Sequence, residues 1–114
     1  MQLDCTMTRD LLIVRVREQR IDAAGAIDFK DRMRDLTAGN QCRVVLDLSG
    51  VTFIDSSGLG AVVAVRKSLG PDRLLELAGL TPAVEKVFHL TRMNSVFTIH
   101  ADVPDLAGNF RDVI

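Results

Sequence analysis

The feature that most constrains this chain is a run of apolar residues that leads directly into two adjacent serines and then into a helical pattern. Residues 43–48 contain three consecutive aliphatic side chains, which is typical of a strand covered on both faces. Ser56 and Ser57 follow Asp55 at the place where the next helix should begin. Free backbone N–H groups and the helix dipole favour negative charge at a helix N-terminus. The sequence therefore predicts that a serine is presented at a position suited to a phosphate group.

Hydrophobic periodicity predicts an α/β fold with a mixed sheet, about four helices and the element order ββαβαβαβα. The opening hairpin should be antiparallel, and the later strand–helix–strand units should form parallel pairs with right-handed crossovers. The predicted strands are Leu3–Met7, which should be half-buried, Leu11–Arg17, Arg43–Leu48, Leu74–Ala78 and Val96–His100. The first predicted helix buries Ala26, Phe29, Met33 and Leu36 and ends at Gly39-Asn40, and the second has an inner stripe of Leu59, Val62, Val65 (or Arg66) and Leu69. The third predicted helix starts at Thr81-Pro82, and the last runs from Asp102 through Val113.

Length and composition favour one globular domain over residues 1–114, with 47% apolar residues. The chain has 14 Lys and Arg against 15 Asp and Glu, a net charge of −1, and it contains no Trp or Tyr. A nucleic-acid partner is therefore not expected, because neither a basic excess nor a set of stacking aromatics is present. No apolar run reaches the length of a membrane span or of a signal peptide. We expect a cytoplasmic protein without direct membrane insertion.

The cysteines and the acidic residues offer little support for a cofactor or a metal. Cys5 and Cys42 are a distant pair, which is a poor disulfide framework, and both are predicted to be buried, reduced thiols. Asp47 and Asp55 could suggest magnesium, but no third carboxylate lies at a suitable spacing. The sequence predicts neither a cofactor nor a metal site, and it favours a role for Asp55 in hydrogen bonds at the helix start.

Two enzymatic interpretations of the serine block are weak. A hydrolase could use His89 or His100 as a base, but the serines lack the upstream glycine of a nucleophile elbow. A dinucleotide loop could begin with Gly58 and Gly60, but Val63 stands where the third glycine would be needed. Close backbone packing at a turn and at a helix start is the preferred explanation for both glycines.

Small residues lie along one side of the predicted helix that follows the serines. Counted from Ser57, this small-residue strip consists of Gly60, Ala61, Ala64 and Ser68. Such a strip is explained either by close contact with another element of the same domain or by a docking surface for a partner. We favour docking, because the larger side chains of the same helix already provide an inward stripe.

Residues 44–49 and the block Val-Thr-Phe-Ile-Asp-Ser-Ser-Gly-Leu-Gly that ends at Gly60 resemble the STAS domain of bacterial anti-sigma factor antagonists. The resemblance implies a non-enzymatic switch. The unphosphorylated form of such an antagonist binds an anti-sigma factor that is also a serine kinase of the histidine-kinase-like ATPase type. The kinase phosphorylates a serine of this block, and a metal-dependent serine phosphatase removes the phosphate.

Carried over residue by residue, the resemblance implies that Ser56 is the phosphate acceptor, with Ser57 as the alternative and with Asp55 and Gly58 as supporting residues. It also implies a partner-binding surface formed by Asp22 together with the face of residues 58–67, which includes Gly60, Ala61, Ala64 and Lys67.

The chain departs from the family pattern in one place. Members often carry Gly-Glu-Leu/Ile-Asp before the first helix, whereas this chain has Gln19 and Arg20 in front of Ile21-Asp22. The difference affects partner specificity and not the fold. A second functional class stays open, namely a STAS subunit of a membrane transport or stress-sensing assembly that is not phosphorylated. Such subunits often replace the acceptor serine, so the two hydroxyls here favour the first class.

Overall fold

The computed structural model describes residues 1–104, which form a five-stranded sheet, a separate pair of short strands and three α-helices. Every strand and helix that precedes residue 101 was predicted in type and approximate position, except the two short strands. The elements are β1 (Leu3–Met7), β2 (Leu11–Val16), β3 (Arg20–Ile21), α1 (Ala26–Thr37), β4 (Arg43–Asp47), β5 (Phe53–Ile54), α2 (Ser56–Leu69), β6 (Leu75–Ala78), α3 (Pro82–Leu90), a 3₁₀ turn (Met93–Ser95) and β7 (Thr98–His100).

The large sheet has the strand order β1-β2-β4-β6-β7. Strands β1 and β2 are antiparallel, and the other neighbours are parallel, which confirms the predicted mixed sheet. Most of the helix predicted from Asp102 through Val113 falls on residues after 104, outside the described part. The predicted helix count of about four is therefore not confirmed, since the described residues contain three α-helices.

The main core lies between the large sheet and the three helices. Phe29 and Met33 of α1 and Phe88 of α3 are fully buried in it, together with Val62 of α2. A second, smaller cluster of buried apolar residues lies on the opposite face of the sheet and includes Val45, with Val103 packed against it. Strand β4 is therefore covered on both faces, as its uninterrupted apolar run predicted. In α2, the predicted stripe is only partly correct, because Leu59 and Leu69 are partly buried.

The opening strand and its cysteine differ from the prediction. Leu3 is half-buried, but Cys5 and Met7 are exposed, so β1 is not the half-buried strand that its alternation indicated. Strand β1 lies at the edge of the sheet beside β2, and of its five residues Leu3 alone packs against the main core. The prediction that both cysteines are buried is correct for Cys42 and wrong for Cys5.

Two element boundaries differ from the prediction, and one predicted helix cap makes a different hydrogen bond. Helix α1 ends at Thr37, two residues before Gly39, which has φ of 75°. The last strand begins at Thr98 because a 3₁₀ turn precedes it and Phe97 turns into the core. Thr81 precedes α3 as predicted, but its hydroxyl donates a hydrogen bond to the Val51 carbonyl at 2.6 Å and does not cap the helix.

Candidate functional site

The start of α2 is held in place by the carboxylate of Asp55. One oxygen, Oδ1, accepts a hydrogen bond from the backbone N–H of Gly58 at 2.8 Å, which makes Asp55 the N-cap of the helix. The other oxygen, Oδ2, accepts from the N–H of Ala23 at 3.1 Å, and the Asp55 N–H donates to the Ile21 carbonyl at 3.3 Å. The predicted role of Asp55 in hydrogen bonding at the helix start is confirmed. The carboxylate also ties the helix to a loop more than thirty residues earlier in the chain.

The two glycines of α2 have opposite surroundings. A Cβ atom on Gly58 would lie 2.0 Å from the Ile21 carbonyl oxygen, so no larger residue fits without moving the backbone. A Cβ atom on Gly60 would have no heavy atom within 4 Å. The packing explanation is therefore confirmed for Gly58 and wrong for Gly60, which is exposed.

Ser56 and Ser57 are the first two residues of α2, and both side chains are exposed. Neither hydroxyl makes a hydrogen bond to any residue within 1–104, so both are accessible to a second protein. The first turn of the helix carries no acidic side chain. Because the N-terminal end of a helix favours negative charge, a phosphate here would be stabilised locally by the helix itself.

The predicted partner residue Asp22 lies beside this helix start. Its Oδ1 accepts from the N–H of Ala24 at 3.2 Å, and its Oδ2 accepts from Arg20 Nε at 3.2 Å. The loop that carries Asp22 is the one bonded to Asp55 through Ala23. The fold thus brings together Asp22 and the serines, which are far apart in sequence.

The small-residue strip is divided between the interior and the surface. Ala61 is only 3% exposed and belongs to the main core, so the expectation that it forms part of a partner-binding surface has to be corrected. Ala64 lines a groove of about 230 Å³ between α1 and α2, together with Lys30 and Arg34. The packing explanation therefore accounts for Ala61, whereas Gly60 and Lys67 lie at the surface.

Sequence reasoning missed a pair of residues next to this site. Strands β3 and β5 form a two-stranded parallel sheet in which Arg20 is opposite Phe53. The guanidinium carbon of Arg20 lies 4.0 Å from the centroid of the Phe53 ring, a cation–π contact. Two-residue strands carry almost no periodicity, so no pattern in the sequence could have indicated this pairing.

A polar cluster between the strands of the large sheet has the character of a structural network. Glu76 accepts hydrogen bonds from Arg43 Nε and Nη2 at 2.5 and 2.7 Å, and His100 Nε2 lies 2.8 Å from the same carboxylate. Burial alone would raise the pKa of Glu76, but the hydrogen bonds from Arg43 and then His100 outweigh it, so the pKa lies below its ordinary value. This network fixes neighbouring strands to one another.

The structure supplies little for the enzymatic interpretations. His89 Nδ1 lies 3.4 Å from the amide of Asn94, and His100 is paired with Glu76, so each imidazole has a partner other than a serine. Within residues 1–104, no group of three His, Cys, Asp or Glu side chains could hold a metal ion. No helix of that part of the chain combines the length and the apolar character needed to cross a bilayer.

Several known proteins are similar to this chain in sequence or in structure. The chain is 31% identical over 81 residues to a STAS-domain containing protein of Pseudomonas aeruginosa, an alignment that covers 70% of this chain and 79% of that protein. A protein from Thermotoga maritima described as an anti-sigma factor antagonist is 26% identical, with a TM-score of 0.76 over 89% of this chain and 87% of that one.

A second similar structure is that of the Bacillus cell fate determinant SpoIIAA in its phosphorylated form. It shares the fold at a TM-score of 0.63 and 18% identity, over 88% of this chain and 91% of that one. The family model of the STAS domain matches residues 2–106. This match over most of the chain, together with the capped helix start and the two exposed serines described above, shows that the chain belongs to the STAS domain family.

Proposed function

We propose that this protein is an anti-sigma factor antagonist that acts by partner switching, with Ser56 as its phosphate acceptor and Ser57 as the alternative. The unphosphorylated domain binds an anti-sigma factor that is also a serine kinase of the histidine-kinase-like ATPase type. Phosphorylation releases that partner, and a metal-dependent serine phosphatase restores the binding form. The domain itself has no catalytic role, and we expect it to work in the cytoplasm, where ATP is supplied.

One observation carries this proposal. Ser56 and Ser57 are exposed on a helix start whose backbone is fixed by Asp55 and by the close contact of Gly58. A kinase needs an accessible hydroxyl in a defined position, and both requirements are met here. The solved phosphorylated form of SpoIIAA, which has the same fold, supports the idea that such a domain can carry a phosphate.

The chemistry requires only an exposed hydroxyl from this chain. The serine Oγ attacks the γ-phosphorus of ATP, its proton passes to a base of the kinase, and ADP leaves. The product carries about −1.5 to −2 additional charges at neutral pH. The helix N-terminus stabilises that charge, so we expect the fold to persist while a partner surface that fits the neutral serine is lost.

Phosphate mapping tests the acceptor. The protein is incubated with ATP, Mg²⁺ and each purified serine kinase of this type from the source genome, and the phosphopeptide is identified by mass spectrometry. We expect the phosphate on Ser56 in the wild type and its loss in Ser56→Ala, with Ser57→Ala as the matched control. A phosphate on Ser57 would move the acceptor by one residue, and a phosphate on any other residue would overturn the assignment.

Calorimetric titration of the same kinases with the unmodified domain tests the switch. We expect the wild type to bind and the phosphorylated domain to bind at least about tenfold more weakly, since like charges and unpaired buried charges are costly in an interface. If phosphorylation never occurs and no kinase binds, the alternative of a STAS subunit in a transport or stress-sensing assembly gains support.

Two substitutions in α2 locate the docking surface. Gly60→Arg adds a large side chain to an open position and should weaken partner binding while the fold remains intact. The small-residue strip also suggests Ala64→Arg. Its effect on partner binding is harder to interpret, because Ala64 lines the groove that contains Lys30 and Arg34 and the new side chain could also disturb the packing of α1 on α2. If Gly60→Arg binds the kinase as well as the wild type does, the partner contacts another face, and Asp22 becomes the residue to test next.

A further inference from the structure

The most unusual surface beside the proposed phosphorylation site is formed by Arg20 and Phe53. The Arg20 side chain is 59% exposed, yet its guanidinium carbon lies 4.0 Å from the centroid of the Phe53 ring and its Nε donates to Asp22 at 3.2 Å. Phe53 is itself 39% exposed, a high value for a large apolar residue. An arginine at the surface is therefore oriented by two contacts, one with an aromatic ring and one with a carboxylate.

This arrangement leaves the outer end of the guanidinium available. The hydrogen bond to Asp22 uses Nε, and the two terminal nitrogens of Arg20 have no hydrogen-bond partner within residues 1–104. A guanidinium that is already oriented loses less conformational freedom when it binds a planar anion, and it can donate two parallel hydrogen bonds to a carboxylate. Arginine is also enriched at the energetic centres of protein interfaces, and phenylalanine is enriched in interfaces relative to the rest of the surface.

The pair is continuous with the serine site through the backbone. Arg20 and Phe53 are opposite one another in the β3–β5 pair, and β5 leads through Asp55 into Ser56. The Asp55 N–H donates to Ile21, the residue that follows Arg20. A partner that covers the serines would therefore reach this pair as well.

We propose that Arg20, held against Phe53, determines which partner this domain selects, and that it receives a carboxylate side chain of the anti-sigma factor. The inference rests on the proposed function and adds the chemistry of the partner. It also gives the phosphate a direct effect: a partner carboxylate placed on Arg20 would be repelled by a phosphate on the neighbouring serine. A single modification would then disturb both the serine contact and the arginine contact.

The test compares two arginines of similar exposure, each paired with one aspartate. Arg17 is 56% exposed and its Nη1 donates to Asp4 at 2.6 Å, but within residues 1–104 it makes no contact with an aromatic ring. In calorimetric titrations with each purified kinase, Arg20→Glu should weaken binding at least about 30-fold, as expected for an interface hot spot. The control Arg17→Glu, which changes the net charge equally, should stay within about twofold of the wild type.

Two further variants distinguish the effect of the orientation of the Arg20 guanidinium on binding from the effect of its charge. Arg20→Lys keeps the charge but loses the planar fork, and we expect a loss of about tenfold. Phe53→Leu removes the ring beneath the guanidinium and should cost about two- to fivefold. Circular dichroism melting checks that each variant is folded. Reversal of one partner carboxylate to arginine should restore the binding of Arg20→Glu, which a merely structural role of Arg20 would not allow.

The outcomes distinguish this inference from the proposed function. If the wild type binds a kinase and Arg20→Glu binds equally well, the inference is wrong and the antagonist function stands. If Arg17→Glu weakens binding as much as Arg20→Glu does, the effect is one of overall charge and the inference is again wrong. If the wild type binds none of the kinases, the proposed function is wrong, and the inference that Arg20 binds a carboxylate of the anti-sigma factor is wrong as well.

Discussion

The inner and outer sides of the first two turns of α2 differ in how closely their atoms are surrounded. On the inner side, Gly58 lies against the Ile21 carbonyl and Asp55 holds two backbone N–H groups. On the outer side, Ser56 and Gly60 have free space around them. The inner side therefore determines where the helix starts, whereas the outer side is available for a phosphate and a partner. Substitutions on the inner side should therefore change stability, and those on the outer side should change binding.

The largest effect is expected for Gly58→Ala. The new methyl group would lie 2.0 Å from a backbone oxygen, which cannot move aside as the end of a flexible side chain could. We expect the free energy of unfolding to fall by about 1–3 kcal/mol, the usual cost of overpacking, despite the better helix propensity of alanine. Urea denaturation measures this change. An unchanged midpoint would show that the inner side is not tightly packed and would remove the contrast between the two sides.

A smaller loss is expected when the cap is removed. Asp55→Ala deletes the acceptor for both Gly58 and Ala23, and we expect destabilisation of about 1–2 kcal/mol, as for the loss of a helix cap. Asp55→Asn is the matched control, because an amide oxygen can still cap the helix but the amide nitrogen cannot accept from Ala23. Its loss should lie between those of the wild type and the alanine variant in the same denaturation experiment. Equal stability of all three proteins would contradict the role assigned to the carboxylate.

The outer glycine should respond in the opposite direction. Gly60→Ala adds a methyl group to open space within a helix, so the free energy of unfolding should rise by about 0.5–1 kcal/mol. Thermal melting by circular dichroism would show the increase. Destabilisation would mean that Gly60 is as tightly surrounded as Gly58, and the inner and outer sides of the helix start would then not differ as described.

The smallest change in stability is expected for Ser56→Asp. A negative charge at a helix N-terminus is favourable by about 0.3–1 kcal/mol, so melting should change by only a few degrees at most. Kinase affinity of the same sample, measured by calorimetry, should nevertheless fall. A large loss of stability would indicate that the switch works by unfolding the domain and not by changing its surface.

Most of the regular elements could be predicted from local sequence. The consecutive aliphatic residues of β4 and the spacing of Phe29 and Met33 in α1 each report a covered surface through a short-range pattern, and the structure agrees. The position of the serines at the start of α2 was likewise indicated by the strand before them and by the capping aspartate. Periodicity failed for β1, because alternation shows which residues share a face but not whether anything covers that face.

The sequence by itself determined the α/β class, the helix start at Asp55 and the two hydroxyls beyond it, because each depends on residues within a few positions of one another. Only the tertiary structure decided that Ala61 is buried while Gly60 is exposed, and that Arg20 lies on Phe53. The Arg20–Phe53 contact joins chain segments about thirty residues apart in sequence, which meet when β3 pairs with β5, whereas Ala61 is buried because α2 packs into the main core. Contacts of that kind leave no local pattern, since the residues that form them become neighbours only through folding.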